Sequence, residues 1–392
     1  MDMVFWRTTP DHTLCSVFKE LAKDGNRRIT VVCVEDIRPH RKKMGWRVPD
    51  FGKAELLLLP ENGWTGSIDR VINNNIDSIH IPQPFFKHAK MRYALLNIIK
   101  RRLKYGLITE MPVNQACGIK WLPRVIYLQS ITKLSLLWLL RHSLFLLYMD
   151  GERRGYTYFK KLVQSTDQIF PFGYFPEVLE LSPDLQAPPK VNNEGKVELI
   201  YLGQLIQRKG INLLIKALSN LEKYPLNYRC HVVGAGPYSQ ELENLSSSLG
   251  LQDKVAFHGP LPYTGVKSLL KKCDILIAPG LKPEPWPMPV SEAIQSGLAV
   301  VVSDSIGGGS DLARASGAGL VFPCGEVDSL AHNLYKFIAD PHALAMAKEK
   351  ATKFAWRLRP SVAAQYLLDV INYTLGESSE RPVAPWLQSE IY

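Results

Sequence analysis

Residues 274–304 constrain the fold more than any other stretch. Asp274-Ile275-Leu276-Ile277-Ala278-Pro279 and Leu298-Ala299-Val300-Val301-Val302-Ser303-Asp304 are short apolar runs bounded by turn residues, the pattern of parallel strands buried on both faces. Between them lie a Pro-rich loop carrying Glu284 and a predicted helix carrying Glu292. Strand, loop, helix and strand make a parallel βαβ unit, whose functional crevice opens at the carboxyl ends of the strands.

The same grammar recurs along the second half. Val197–Gly203 reads as a strand, 204–210 as the loop after it and Ile211–Leu221 as the next helix, with further strands at 231–233, 255–259 and 317–323 and a helix over 328–340. Ser305-Ile306-Gly307-Gly308-Gly309-Ser310-Asp311 reads as a Gly-rich turn. The loop before Ile211 holds Arg208 and Lys209. Cations beside a helix N-terminus converge with its free N–H groups on an anion such as phosphate. His231-Val232-Val233-Gly234-Ala235-Gly236-Pro237 adds a strand and a tight GxGP turn.

The first half opens with a βαβ unit too: a strand to Trp6, a helix over 13–23 and a strand over 29–34. Its first loop makes Arg7, Thr8 and His12 candidates for contact with phosphate or acceptor, although His12 reads more simply as a solvated loop residue. Strands follow at 55–59, 78–81 and 105–110, and a helix over 87–104 ends in Lys100-Arg101-Arg102-Leu103-Lys104. Glu110 closes its strand, where a cleft residue belongs. Residues 126–149 are rich in Leu, Tyr, Trp and Phe, but Lys133, Arg141 and His142 interrupt them. No uncharged run reaches the roughly 18–20 residues of a membrane span. The segment reads as one or two buried helices, or as a patch that docks on a bilayer surface.

Charge separates the halves. Residues 1–196 hold 29 Lys and Arg against 19 Asp and Glu, whereas 197–392 hold 18 of each, so all of the net +10 lies in the first half. Such asymmetry points to an acidic partner: membrane surface, phosphorylated acceptor or nucleic acid. No nucleic-acid module accompanies it. The six cysteines are scattered without CxxC or metal-type spacing, which predicts reduced thiols and no zinc site. With no leader pattern at Met1–Arg7, a cytoplasmic protein is expected.

Glu284-x7-Glu292, a small-residue helix, Gly297 and a Val-rich strand together resemble the donor-binding signature of family-4 retaining glycosyltransferases. That resemblance implies an α/β GT-B fold: two Rossmann-like domains facing a central cleft, with a C-terminal helix crossing back to the first. The expected boundaries are 1–180 for an acceptor-side domain, 181–196 for a linker, 197–360 for a nucleotide-sugar domain, and 361–392 for the crossover helix and a loosely held tail. Gly203-x5-Lys209-Gly210 resembles the family's diphosphate loop, with Gln204 where the family has arginine and Arg208 as the available substitute.

The carry-over implies catalytic roles for Glu284, beside the donor sugar, and for Lys209 and Arg208, on the leaving diphosphate. It implies that Glu292 binds the ribose hydroxyls. It also places Gly203, Gln204, Gly234, Gly236 and His258 (base-pocket lining or structural) in the donor site. Trp286 and Met288 would be its amide donors, because Pro287 and Pro289 have no N–H. Arg7, Thr8, His12 and Glu110 are the acceptor-side candidates. The implied partners are a nucleotide diphosphate sugar, a lipid-linked or phosphorylated saccharide acceptor and an anionic membrane face, with no metal and no resident cofactor. Cell-surface polysaccharide, lipopolysaccharide or glycolipid assembly is the implied setting. A non-catalytic nucleotide-sugar binder and a GT-B sugar-nucleotide epimerase are the alternative readings.

Overall fold

The computed structural model describes residues 1–37, 47–83, 88–110, 134, 136–163, 165–177 and 195–388. Two compact units result, one from residues 1–175 with 360–384, the other from 176–359 with 385–392. Most of the expected linker, residues 181–194, lies outside the described residues.

The first unit is built on parallel strands β1 (Met3–Arg7), β2 (Ile29–Cys33), β3 (Glu55–Leu58) and β4 (Ile79–Pro82), in the order β3-β2-β1-β4. A bridge from His80 to Tyr105 carries the pattern on to β5 (Leu107–Thr109), β6 (Leu146–Tyr148) and β7 (Ile169–Pro171). Helices α1 (Cys15–Leu21), α2 (Trp64–Asn73) and α3 (Ala89–Lys100) cover the sheets. In α3, Met91, Ala94, Leu95 and Ile98 are buried, the spacing that puts one stripe against the core.

Three expectations are corrected here and in the second unit. Residues 146–148 are not helical: they form β6, paired in parallel with β5 and β7. A six-residue apolar run such as Leu144–Met149 satisfies a buried strand and a buried helix alike. The glycines at 307–309 are not a turn but the start of a helix. The tail after Gly376 is anchored: Arg381 donates to the carbonyls of Thr166 and Ile169 at 2.9 Å each and lies over the Phe170 ring. Further on, Trp386 is fully buried.

The second unit has six parallel strands: β8 (Val197–Leu202), β9 (Tyr228–Val233), β10 (Val255–Gly259), β11 (Ile275–Ala278), β12 (Ala299–Ser303) and β13 (Gly319–Phe322). Their order is β10-β9-β8-β11-β12-β13. Its helices are α4 (Ile211–Leu221), α5 (Ser239–Ser248), α6 (Tyr263–Leu270), α7 (Met288–Gln295), α8 (Gly307–Ala315), α9 (Val327–Ala339) and α10 (Pro341–Phe354). Leu199, Tyr201, Ile275, Ile277 and Val301 share a core with Leu214 and Leu218 of α4 and Leu330 and Leu334 of α9. At the amino ends of the strands, buried Asp274 pairs with Lys348 at 2.5 Å and accepts from the Glu198 N–H at 2.9 Å. The carboxylate is thereby paired and hydrogen-bonded, as its burial requires. The final helix, α11 (Pro360–Thr374), packs on α1 in the first unit.

Candidate active site

The strand order of the second unit reverses between β8 and β11. An open parallel sheet binds ligands at that switch point, outside the carboxyl ends of the two strands. The loop after β8 carries Lys209, and the loop after β11 carries Glu284. Their side chains meet: Lys209 Nζ lies 2.5 Å from Glu284 Oε1, both less than one-fifth exposed. Two charges 75 residues apart in the sequence thus form one ion pair at the switch point.

Backbone geometry fixes this meeting. The Leu281 N–H donates to the Arg208 carbonyl at 2.9 Å, tying the two loops together. Gly210, with φ +70°, caps α4 so closely beneath Pro279 that a Cβ would lie 2.0 Å from its carbonyl oxygen. The Glu284 carbonyl accepts from the Gly307 N–H at 3.0 Å, and the Pro285 carbonyl from that of Gly308 at 2.8 Å. Glycine at 308 admits the Trp286 ring, which a Cβ would approach to 2.3 Å. The buried indole donates from Nε1 to Ser291 Oγ at 3.0 Å.

Around the pair, Arg208 is half-buried, and its side chain makes no hydrogen bond or ion pair among the described residues. Tyr201 packs beneath; its hydroxyl donates to the Gln204 carbonyl at 3.0 Å. Burial and then the Glu284 charge push that phenol's pKa up, against Arg208. The Gln204 side chain is exposed. Gly203, Gly234 and Gly236 line the turns after β8 and β9, where a Cβ on Gly234 would stand 1.8 Å from the Gly203 oxygen and one on Gly236 2.1 Å from that of Leu205. Their absence of side chains is a packing requirement, independent of any ligand.

Glu292 lies on α7, which Met288 opens with Pro289 in its first turn. The N–H of Met288 has no intrahelical acceptor, as for any first helical residue. The Glu292 carboxylate is buried and makes no hydrogen bond among the described residues. Burial pushes its pKa up to about 7, with Lys267 on α6 opposing. A desolvated acceptor without donors is suited to receive two hydroxyl protons from a ligand.

His258 is exposed, and its Nε2 faces His231 Nδ1 at 2.8 Å; His231 Nε2 in turn meets Glu198 Oε2 at 2.9 Å. Burial, His231 and Arg229 lower its pKa. The sequence reading named His258 but missed this array, because its members sit on three separate strands.

In the first unit, two of the four acceptor-side candidates come together. Buried Arg7, ending β1, donates to Thr13 Oγ1 at 3.1 Å and pairs with Asp11 at 3.5 Å. Burial disfavours its charge, but Asp11, Tyr174, Cys33 and Glu110 outweigh burial and hold its pKa above the usual value. Glu110, just past β5, accepts from the Tyr174 hydroxyl at 2.5 Å. Burial first, then Glu110, pushes the Tyr174 pKa well up. Thr8 contributes its carbonyl to the Glu35 N–H at 2.9 Å, and the His12 side chain is exposed. Tyr174 and Asp11 were missed, although both lie within a few residues of a strand's carboxyl end, the one signal available.

Comparison with known proteins follows these features. Residues 184–354 match the family described as glycosyl transferases group 1. A stretch of 172 residues is 28% identical to an exopolysaccharide phosphotransferase of Streptomyces coelicolor, covering 43% of this chain and 18% of that one. Over 180 residues the chain is 27% identical to the GDP-mannose-dependent alpha-(1-6)-phosphatidylinositol monomannoside mannosyltransferase of Mycolicibacterium smegmatis, covering 43% and 47%. The chain spans less than half the length of these curated relatives. The crystal structure of Anabaena HepE in complex with UDP superposes with a TM-score of 0.68 at 16% identity, covering 95% of this chain and 100% of that one. A likeness at that identity establishes the fold, which is GT-B. Residues 184–354 are therefore similar to the glycosyl transferases group 1 family, within a chain of GT-B architecture.

Proposed function

We propose that the chain is a retaining glycosyltransferase of the family-4 type, moving a sugar from a nucleotide diphosphate sugar to an acceptor hydroxyl. The observation that carries this reading is the Lys209–Glu284 pair at the β8/β11 switch point. A donor diphosphate would compete for Lys209 and engage Arg208 and the first-turn N–H groups of α4. Glu284, released from Lys209, then turns to the sugar hydroxyls, while Glu292 takes the ribose diol. In transfer, the bond from the anomeric carbon to the diphosphate breaks and the acceptor oxygen bonds to that carbon. The acceptor proton leaves on the departing phosphate. Charge building on the diphosphate is offset by the two cations, so the reading calls on no resident cofactor.

The relatives' names support a nucleotide-sugar donor: HepE was crystallised with UDP, and the mycobacterial relative is named for GDP-mannose and a phosphatidylinositol mannoside. For the acceptor we propose a lipid-linked or phosphorylated saccharide in cell-surface polysaccharide or glycolipid assembly, met by the Arg7–Glu110–Tyr174 cluster at the cytoplasmic membrane face. The excess positive charge of the first half favours it. Among the described residues, no helix is long and apolar enough to cross a membrane. One observation favours a non-catalytic binder instead: Lys209 is neutralised by Glu284, and position 204 adds no cation.

UDP, GDP and ADP hexoses separate the readings. One base class is expected to raise the melting temperature, as a ligand selective for the native state must, and to release nucleoside diphosphate slowly without an acceptor. Stabilisation without turnover, with acceptors supplied, would establish the binder; no response to any diphosphate would remove both readings.

Donor affinity should also depend on pH through Glu292. Its pKa in the folded chain, about 7, lies above its unfolded value. Ionised Glu292 therefore costs stability, a penalty absent in acid that grows as pH rises toward 7. Two hydroxyl donors relieve that penalty, so nucleoside diphosphate should bind more weakly as pH falls below about 7. Calorimetric titration across that range, with Glu292→Gln losing the Glu292-dependent part of the slope, is the check.

A further inference from the structure

The first unit carries a surface that the donor and acceptor chemistry does not use. Between residues 88 and 149 the sequence has ten Lys or Arg and one acid, Glu110. The end of α3 gathers exposed Lys100, Arg102 and Lys104, while Arg101 beside them is paired with Asp69 at 3.6 Å. Residues 136–140 form a short helix beside them: the Tyr105 hydroxyl donates to the Leu139 carbonyl at 2.7 Å, and the Leu144 N–H to the Tyr105 carbonyl at 2.8 Å. That helix buries Leu136, Leu139 and Leu140. On its opposite side, Leu134 is 65% and Trp138 47% exposed, with exposed Arg141 next. Leu96, one turn before Lys100, is 51% exposed.

Arg102 adds an independent sign. It is the one non-glycine residue with positive φ (57°) among the described residues. It closes α3 in a Schellman turn, with Arg102 N–H donating to Ile99 O at 2.9 Å and Leu103 N–H to Ile98 O at 3.1 Å. Glycine is the usual occupant of that position because it has no Cβ. The chain keeps an arginine there against its backbone preference.

We infer that this face, formed by the end of α3 and the helix through Trp138, docks on a bilayer containing anionic lipid. Exposed cations and a Trp–Leu pair together match that partner. Headgroup phosphates attract the cations, while the interfacial layer takes up the indole and leucine. A nucleic acid would satisfy the charges and leave Leu134 and Leu96 without an environment. The inference rests on the proposed function only for its biological sense, since vesicle binding is read without donor or acceptor.

Flotation of the full chain with phosphatidylcholine vesicles, with and without phosphatidylglycerol, tests it. Binding is expected only with the anionic lipid, weakening as salt screens the charges. Arg102→Gly relieves the backbone, so it should fold at least as stably as the parent while binding about five-fold more weakly, as for one cation at a lipid surface. Trp138→Ser should weaken binding as well, and the two together should abolish it. Vesicle binding unchanged in both variants would overturn the assignment. So would the parent binding heparin or RNA but not the vesicles.

Discussion

Glu284→Ala should lower the rate of sugar transfer by on the order of 10² to 10³, the usual cost of removing one group placed on developing charge. The affinity for nucleoside diphosphate should stay within a few-fold of the parent. The two effects separate because Glu284 is proposed to face the reacting sugar, whereas Arg208 and Glu292 lie where diphosphate and ribose are proposed to bind. Loss of Glu284 also frees Lys209 from its partner at 2.5 Å, which favours the diphosphate further. Lys209→Met should do the reverse, weakening diphosphate binding and slowing transfer together. Initial rates and calorimetric titration of both variants decide the matter. If Glu284→Ala transferred sugar at the parental rate, the pair would be a structural ion bridge and the proposed chemistry would have to move elsewhere.

Gly210→Ala is expected to destabilise the second unit by about 3 kcal/mol or more, beyond the 1–3 kcal/mol of a left-handed residue alone. The added Cβ meets the Pro279 carbonyl at 2.0 Å, backbone against backbone, so no side-chain rotation relieves it. Relief requires the loops after β8 and β11 to part, which separates Lys209 from Glu284; activity should fall even in the folded fraction. Gly325 provides the control. It too has positive φ (88°), but a Cβ there meets nothing within 4 Å, so Gly325→Ala should cost about 1–2 kcal/mol. Urea unfolding of the two variants measures the difference, and equal costs would show that the loops are not braced at Gly210.

The second unit was largely legible because its central strands β11 and β12 are buried on both faces and its helices keep a clear apolar period. Ile211–Leu221 has the helix bounds that the pattern predicts. Less was legible where two structures satisfy one pattern or where contact is remote. Leu146–Tyr148 reads as helix because its neighbours are all apolar, yet parallel partners on both sides make it a strand. The glycines at 307–309 read as a turn, although what they provide is room for Trp286 and Pro287 against a helix. Glu284 and Glu292 were singled out by the resemblance that their spacing carries, and Lys209 by its place in a loop before a helix. Tyr174 and its bond to Glu110, 64 residues away, left no periodic trace. The tail seemed loose from its prolines and polar residues, but one arginine and one tryptophan hold it.

Neither unit is continuous in sequence. Residues 360–384 belong with 1–175, and 385–392 with 176–359. Synthesis therefore delivers the pieces out of order: α1 emerges near the start and waits for α11, more than 300 residues later, before that contact can close. Closing so long a loop costs entropy before any packing is gained. The stretch 176–359, which holds the whole six-stranded sheet, can collapse first. A nascent chain halted before Pro360 would have the loops after β8 and β11 in place, while the first unit lacked α11 and the Trp386 site in the second stood empty. Completion of both units would then fall to the same last segment, so a frameshift or proteolytic cut near Arg359 would impair the two units together.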